Sequence, residues 1–488
     1  MYVLGIDVGT TGAKALLIDD KGTVRGKGHM AYGVRILPGG RVEQDARDWW
    51  SALVHAVRTA SAKIEDKEEI AAISLSTQGA AMLPVDKDNE PMYPAMTCTD
   101  TRGLAEKEEL KSKLGQEYFY KTTGLNLSPS LDAVKILWLS RHEKDIFEKA
   151  YSFISTLEYI NCKLTGENVI DPSNAAARQL MDISSLEWDK GILQAIGIEK
   201  HRLPRIIPTG VRIGKLSRKA ADELGLSTSV KVYNGAYNRY CVSLGAGAVR
   251  EGEAVLSMNT DWAMLGITSK PLFSSLYISP GPHPMKGLWG ALASIPVSGA
   301  ALDWYLRGFT DKDCKKVNAE AEKRIEKTKN LFFYPYFTGA WLPFRNENAK
   351  AVLLGIGLDH DRYDVARAVM EGVALQVKRV IHEYHANGCE IHTLRILNGT
   401  GKNGLWTSLI STITGCAHNR VEEEDAACIG AAAIAAVGKG IFEDYVAAVK
   451  AMVKSTKTIE ADRALADYYL DKYEKYFKTW EQVSKCFR

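Results

Sequence analysis

The sequence is poor in proline and cysteine, and neither follows a special pattern. Only 15 of 488 residues are proline, and 25 % are charged and 46 % hydrophobic, which excludes a collagen and a disordered tail protein. The eight cysteines form no CxxC pair and the ten histidines form no HExxH motif, so a zinc site is not expected. Scattered cysteines in so long a chain are typical of reduced, cytosolic thiols.

The chain also lacks an excess of charge and a long apolar run. It contains 62 Lys and Arg and 59 Asp and Glu, which gives a formal net charge of +3. So small an excess predicts neither a nucleic-acid partner nor a basic membrane surface. No run of about 18 apolar residues is present, and no basic segment precedes a long apolar one. We therefore expect a cytoplasmic protein without a signal peptide or membrane span.

The N-terminal pattern is strand, glycine-rich turn, strand, turn, strand. Apolar runs at 2–8 and 13–19 flank the turn, and a third strand begins at Thr23. An amphipathic helix follows, with acidic residues at its start and apolar residues spaced i, i+3, i+4, i+7 from Trp50. A further strand at 69–76 completes an α/β unit with helices against a mixed sheet.

A similar strand, Thr-bearing turn and strand recur at 255–267, which favours internal duplication over a coincidence between two hairpins. Duplication predicts two similar domains, 1–245 and 246–488, with a ligand cleft between them. At roughly 100–200 residues per domain, the length agrees with two to four domains. Helices are predicted in the later part of the chain at 365–379, 425–437 and 464–477.

The most informative motif is Asp7-x-Gly9-Thr10-Thr11-Gly12-x-Lys14. A glycine-rich turn lets backbone N–H groups approach a phosphate, and the hydroxyls and the lysine add donors and charge. An Asp at the end of the preceding strand can hold Mg²⁺, usually through water. Because this turn joins two strands, it is neither a Walker A loop nor a dinucleotide-binding turn. The alternative is an ordinary hairpin with a solvated Asp.

Several ordered segments resemble the FGGY family of carbohydrate kinases, in the actin/hexokinase/Hsp70-like ATPase superfamily. GIDVGTTGAKALLID at 5–19 is similar to the family's first phosphate motif, and the segment 73–102 resembles its sugar-facing segment. The resemblance extends over nearly the whole chain and is nearest to xylulokinases. Further similar segments lie at 42–50, 164–176, 203–216, 235–247, 333–344, 398–406 and 429–436.

The resemblance implies an α/β fold of two ribonuclease-H-like, actin-like ATPase domains with a catalytic cleft between them. It implies transfer of the γ-phosphate of ATP, with Mg²⁺, to a hydroxyl of a sugar or polyol, with Asp7 near the metal ion and the transferred phosphate. At the nucleotide it places Gly9, Thr10, Thr11, Lys14, Asn259, Thr260, Gly299, Gly399 and Asn403. On the sugar side it places Gln78, Asp100, Arg102, Tyr237 and Arg239, although Asp100 and Arg102 also suit a plain ion pair.

The catalytic position departs from the family pattern. The family's general base is an Asp nine residues before the last Gly of its LGAG segment, and here that position is Asn238. An amide cannot accept the hydroxyl proton, and losing a general base typically costs about 10²–10⁴ in rate. Tyr237 precedes it, and Arg239 follows where the family usually has Gln or Asn.

Other departures from the family pattern also lie at positions that the resemblance assigns to the nucleotide or the sugar. Asn259 and Asn398 replace glycines of the second phosphate turn and the adenosine-side loop. Asn tolerates positive φ, so these turns can form, but its side chain occupies space that a nucleotide needs. On the sugar side, Ala80 stands where xylulokinases have His, and Cys98 stands where the family's WxD motif has Trp.

Two functions therefore remain open. The first is a xylulokinase-like sugar or polyol kinase whose turnover is impaired at Asn238. The second is an inactive pseudokinase that binds sugar or nucleotide for sensing or regulation. An actin-like filament protein or a chaperone has less support, because those relatives lack the sugar-side segments. The sequence does not name the sugar, and a homodimer is the assembly that general statistics favour.

Overall fold

Two large β-sheets form the framework, one from each half of the chain. The computed structural model describes residues 1–258, 262–274, 278–310, 313–340, 346–398, 404–421 and 425–487. The strands are β1 (Tyr2–Val8), β2 (Gly12–Asp19), β3 (Val24–Ala31), β4 (Arg35–Leu37), β5 (Arg41–Gln44), β6 (Ile70–Thr77), β7 (Leu83–Val85), β8 (Ala95–Met96), β9 (Ser152–Ile154), β10 (Val169–Ile170), β11 (Met181–Asp182), β12 (Glu187–Trp188), β13 (Arg205–Ile206), β14 (Arg212–Lys215), β15 (Lys231–Tyr237), β16 (Glu253–Met258), β17 (Trp262–Thr268), β18 (Ser279–Pro282), β19 (Trp289–Ile295), β20 (Phe332–Tyr334), β21 (Val352–Leu354), β22 (Thr393–Asn398), β23 (His418–Val421) and β24 (Ser455–Ile459).

Helices surround both sheets. They are α1 (Ala46–Ser61), α2 (Leu104–Leu114), α3 (Gln116–Thr123), α4 (Asp132–His142), α5 (Lys144–Lys149), α6 (Thr156–Thr165), α7 (Pro172–Ala177), α8 (Lys190–Ile196), α9 (Arg218–Leu224), α10 (Asn238–Gly245), α11 (Ser298–Phe309), α12 (Cys314–Glu322), α13 (Arg362–Ala386), α14 (Gly404–Thr414), α15 (Ala426–Lys439), α16 (Tyr445–Met452) and α17 (Ala466–Val483). Short 3-10 helices lie at Lys67–Glu69, Lys200–Arg202, Arg463–Leu465 and Ser484–Phe487. In the part of the chain that the structure describes, no helix is long and apolar enough to cross a membrane.

The two sheets share one strand order. The first contains β3-β2-β1-β6-β15 and ends in β14, and the second contains β19-β17-β16-β22-β23, extended by β18 and β24. In both, the central strand pairs antiparallel with the next strand of the chain and parallel with a later one, as β1 does with β2 and β6. This common arrangement supports the predicted duplication and the two-domain α/β fold.

The predicted elements of the first half are present. Helix α1 buries Trp49, Leu53 and Val57 on one face, as its 3.6-residue period requires. The Asp45 side chain accepts a hydrogen bond from the backbone N–H of Arg47 and so caps the helix. The predicted strand at 69–76 is β6, and the later predicted helices correspond to α13, α15 and α17.

Helices α10 and α15 cross at the junction of the halves with their backbones in close contact. A Cβ atom on Gly430 would lie 2.0 Å from the carbonyl oxygen of Cys241, and one on Gly245 would lie 1.8 Å from that of Ala426. Helix α15 also packs on the first sheet, where Ala432 joins a buried cluster with Val3. A helix from the last part of the chain therefore covers β1, the strand that ends at the glycine-rich turn.

Candidate active site

The turn between β1 and β2 has every carbonyl held by a hydrogen bond. No hydrogen bond between described residues uses the N–H of Thr10 or Thr11 as its donor. Because the carbonyls are fixed, these free N–H groups suit an anion such as a phosphate. The bonds are Tyr32 Oη to Gly9 O, Gln44 Nε2 to Thr10 O (2.6 Å), Tyr32 N to Thr11 O (3.1 Å) and Gly9 N to Gly12 O (3.0 Å).

Asp7 lies at the end of β1, beside the turn. Its Oδ1 accepts a hydrogen bond from Ser76 Oγ at 2.6 Å, and Lys14 is its cross-strand neighbour on β2. Burial raises the pKa of Asp7 to about 6, although Ser76 and Lys14 oppose that shift. Since Mg²⁺ usually binds one or two carboxylates and keeps several waters, this single partly buried carboxylate fits the ion. The described residues contain no cluster of three or more His, Cys, Asp or Glu that could hold a metal.

Lys14 is paired with a residue from the far end of the chain. Its Nζ lies 2.9 Å from Asp425 Oδ1, and Lys27 Nζ lies 3.1 Å from Asp425 Oδ2. Burial acts to raise the pKa of Asp425, but the two lysines hold that pKa below its ordinary value. Asp425 immediately precedes α15, so the pair joins the glycine-rich turn to the second half. Whether Lys14 binds phosphates stays a prediction.

A small cavity of about 140 Å³ lies between the halves. The predicted sugar-facing segment contributes Gly79, Ala80 and Cys98 to its wall, and Tyr237 also lines it. A Cβ atom on Gly79 would lie 2.8 Å from the Tyr237 ring, so glycine is required for this close approach. The second half supplies Ser279, Pro280, Gly281 and Leu292. None of the described lining residues is charged.

Asn238 begins α10 directly beside this cavity. Its Oδ1 is buried and accepts no hydrogen bond from the described residues. Arg239 is partly exposed, and its guanidinium forms a side-chain hydrogen bond with Tyr237. Burial raises the pKa of Tyr237, against the effect of the Arg239 guanidinium beside it. The N-terminus of α10 therefore carries a neutral amide at Asn238 and a cation at Arg239.

Asp171 is a buried carboxylate near this helix, and both of its oxygens already accept hydrogen bonds. It caps α7 and accepts hydrogen bonds from backbone and side-chain donors of Ser173 and Asn174, and from Thr209 Oγ1. The backbone N–H of Tyr237 donates to Ser173 Oγ at 2.9 Å, which connects this cap to the start of α10. Because its lone pairs are occupied, Asp171 is a helix cap and not a substitute base.

Asp100 and Arg102 form a closed ion pair. Arg102 Nη2 lies 2.6 Å from Asp100 Oδ2 and 2.8 Å from Glu43 Oε1, and the Arg102 side chain is 2 % exposed. The guanidinium also stacks 4.8 Å from the centre of the Trp138 ring. Neither residue lines the cavity. This geometry matches the ion-pair alternative, and their sugar contacts stay a prediction.

Gln78 connects the cavity wall at Gly79 and Ala80 to the glycine-rich turn. Its backbone N–H donates to Val8 O at 2.9 Å, and its Nε2 donates to Gln44 Oε1 at 2.8 Å. Sequence reasoning did not single out Gln44, Tyr32, Ser76 or Asp425. The only signal for Gln44 was its place in the family-like segment 42–50, and nothing in the sequence connects Asp425 to a lysine 411 positions away.

The adenosine side is described only in part. Gly299 is buried in α11, and Asn398 is the last residue of β22. The remaining predicted nucleotide residues lie outside the described residues, and they are Asn259, Thr260, Gly399 and Asn403.

Comparison with known proteins defines the class. Models of the N-terminal and C-terminal domains of the FGGY family of carbohydrate kinases match residues 2–245 and 256–438. The chain is 26 % identical to the xylulose kinase of Staphylococcus xylosus over 449 residues, 91 % of this chain and 92 % of that protein. It is 25 % identical to the gluconokinase of Bacillus subtilis over 472 residues, 93 % of this chain and 91 % of that protein.

The fold is likewise that of known carbohydrate kinases. The crystal structure of xylulose kinase from Rhodospirillum rubrum superposes with a TM-score of 0.95 at 23 % identity and covers 100 % of both chains. Two actin-like α/β domains that match both family models thus define a kinase of the sugar-kinase class. This chain belongs to the FGGY family of carbohydrate kinases.

Proposed function

We propose that this protein transfers the γ-phosphate of Mg-ATP to a hydroxyl of a small sugar or polyol, at a rate lowered by Asn238. The observation that supports this most strongly is the glycine-rich turn, whose carbonyls are all held while two N–H groups stay free beside the Asp7 carboxylate. The cavity at the start of α10 is the site for the acceptor.

The residues divide the chemistry between them. The N–H groups of Thr10 and Thr11 would bind phosphate oxygens, and Asp7 would hold a magnesium ion. A bound Mg²⁺ neutralises the charge that develops on the phosphates. Phosphoryl transfer depends mainly on positioning and electrostatics, so fixing the turn contributes directly to the rate.

Asn238 positions the acceptor but does not deprotonate it. Its Oδ1 is buried and has no hydrogen-bond partner within the described residues. In this proposal it accepts a hydrogen bond from the acceptor hydroxyl and orients the oxygen. The amide cannot take up the proton, because it is not a base at neutral pH. Turnover is therefore slow, and closing of the cleft limits the competing transfer to water.

A pseudokinase is the second candidate, and Asn238 is the observation that favours it. Asp171 is occupied as a helix cap, and Asp7 is bound to Ser76 at the phosphate end of the cleft. Neither carboxylate replaces the missing base. In this case the protein binds acceptor or nucleotide for sensing or regulation. The cytoplasmic location and the homodimer also stay predictions.

Calorimetric titration tests the proposal. Mg-ATP is titrated first, and then xylulose, gluconate and glycerol, chosen from the relatives' activities and as a simple polyol. ADP release is then measured with each acceptor that binds. Binding of both ligands with acceptor-dependent ADP release supports a kinase. Binding without turnover supports the pseudokinase, and binding of neither ligand contradicts both.

A further inference from the structure

The side chain of Gln44 is bonded at both ends of its amide, and each end reaches a different part of the site. Its Nε2 donates to Thr10 O of the glycine-rich turn at 2.6 Å. Its Oε1 accepts from Gln78 Nε2 at 2.8 Å and from Trp49 Nε1 at 3.1 Å. Gln44 is 1 % exposed, so none of these bonds competes with bulk water.

Gln78, at the other end of this hydrogen-bonded connection, lies next to the cavity that we propose for the sugar or polyol. Gln78 is 3 % exposed, and its Oε1 has no hydrogen-bond partner within the described residues. The two residues that follow it, Gly79 and Ala80, line the cavity. A shift of this wall therefore moves the group to which Gln44 is bonded.

We infer that Gln44 is a positioning residue that fixes the glycine-rich turn and keeps it in register with the acceptor wall at Gln78. Because the amide has one donor face and one acceptor face, it turns the Thr10 carbonyl away from the phosphate side while it holds Gln78. This role rests on the proposed function, but the positioning itself exists without any ligand. It differs from Tyr32, which among the described residues donates to the carbonyls of Gly9 and Thr11 and to no group of the cavity wall.

A ligand-free experiment tests the positioning. Amide hydrogen exchange is measured for the N–H groups of Gly9 and Tyr32, which donate to the carbonyls of Gly12 and Thr11. Gln44→Glu loses the donor to Thr10 but keeps the acceptor, and we expect exchange about tenfold faster because one buried bond is lost. Gln78→Met should also speed it, through Gln44, whereas exposed Gln194→Met should not. Unchanged exchange in Gln44→Glu overturns the positioning, and unchanged exchange in Gln78→Met overturns the connection.

Measured binding affinities then distinguish the role of the Gln44 donor Nε2 from that of its acceptor Oε1. Gln44→Glu should weaken Mg-ATP about tenfold and leave the Kd of the best acceptor of the panel within about threefold. Gln44→Met, which loses both faces, should weaken both ligands about tenfold. Tyr32→Phe should affect the nucleotide alone. A purely structural role would not produce this split.

The failures are distinguishable. If the wild type binds both ligands and Gln44→Met changes neither affinity, the inference is wrong and the proposed function stands. If the wild type binds neither ligand, the proposed function is wrong, and the exchange experiment alone decides the positioning. If Gln44→Met does not fold, exchange in Gln44→Glu and Gln78→Met gives the decision.

Discussion

At the scale of single residues, the site combines a buried carboxylate at Asp7 with a neutral amide at Asn238. Asp7 is buried enough to raise its pKa to about 6, and Ser76 and Lys14 do not fully compensate. Groups tuned in this way are typical of functional positions, since a residue kept only for stability would be neutral there. Asn238, by contrast, is neutral at any pH near 7, and its Oδ1 accepts no hydrogen bond from the described residues.

Asp7→Asn should stabilise the ligand-free protein while it abolishes Mg-dependent nucleotide binding. The folded pKa of Asp7 is about 6 and the unfolded value is 3.8, so ionisation disfavours the fold. The gain should be small near pH 4, grow as the pH rises from 4 to 6, and level off at about 1–3 kcal/mol by pH 8. Urea unfolding at these pH values measures it, with exposed Asp20→Asn as the control. A loss of stability at pH 8 would contradict this account.

Asn238→Asp should raise kcat by about 10²–10⁴ with an acceptor that binds, because it restores a group able to take the hydroxyl proton. ADP release measures the rate, and Arg239→Gln is the matched control for the neighbouring cation. If the Asp variant is no faster with any acceptor, the proposal that Asn238 limits the rate is wrong.

At the scale of elements, the crossing of α10 and α15 sets the distance between the halves. Both helices have a glycine at the point of contact, where the facing backbone leaves no room for a Cβ atom. The same α15 follows Asp425, which pairs with Lys14 next to Asp7. The contact between the helices and the position of the glycine-rich turn are therefore linked through one element.

Gly430→Ala should lower the free energy of unfolding by about 2–3 kcal/mol, because the new methyl group overlaps the Cys241 carbonyl and forces the helices apart. Gly308→Ala in α11 is a control of opposite sign, since no atom lies within 4 Å of the added Cβ and helix propensity improves. We expect that control to be neutral or to gain up to about 1 kcal/mol. Urea midpoints measure both, and equal effects would show that the crossing is loosely packed.

At the scale of the whole molecule, two buried histidines make the fold sensitive to acid. Burial lowers the pKa of His283 to about 3 and that of His418 to about 4. Neither His418 nitrogen has a hydrogen-bond partner within the described residues. Both rings are thus neutral in the fold, whereas the unfolded chain takes up protons below pH 6.5.

The stability held by neutral His283 and His418 should therefore be present above pH 6.5 and lost as the pH falls towards 4. At pH 5 each histidine should cost about 2 kcal/mol. His418→Phe should remove the loss of stability that His418 causes in acid. The free energy of unfolding of the variant relative to wild type should therefore rise by about 2 kcal/mol from pH 7.5 to 5. Urea unfolding at both pH values checks this, with exposed His55→Gln as the control. A difference that does not change with pH would contradict the prediction.

The sequence by itself determined the local elements and the class of protein. The spacing of Trp50, Leu53, Val54 and Val57 predicted α1, and the Asp7 motif placed a glycine-rich turn between two strands. Periodicity and turn chemistry act over a few residues, so they can be read without the tertiary structure. The sequence also showed Asn238 at the position where the family resemblance leads one to expect an Asp.

Only the tertiary structure decided how these parts are connected. The pairs Lys14 with Asp425 and Gln44 with Gln78 join segments 411 and 34 positions apart. The sequence left Asp100 and Arg102 open as sugar-side residues or a plain ion pair, and only the fold shows that Glu43 joins that pair. Contacts of this kind depend on how sheets and helices pack, and no local pattern records which side chains that packing brings within hydrogen-bond distance.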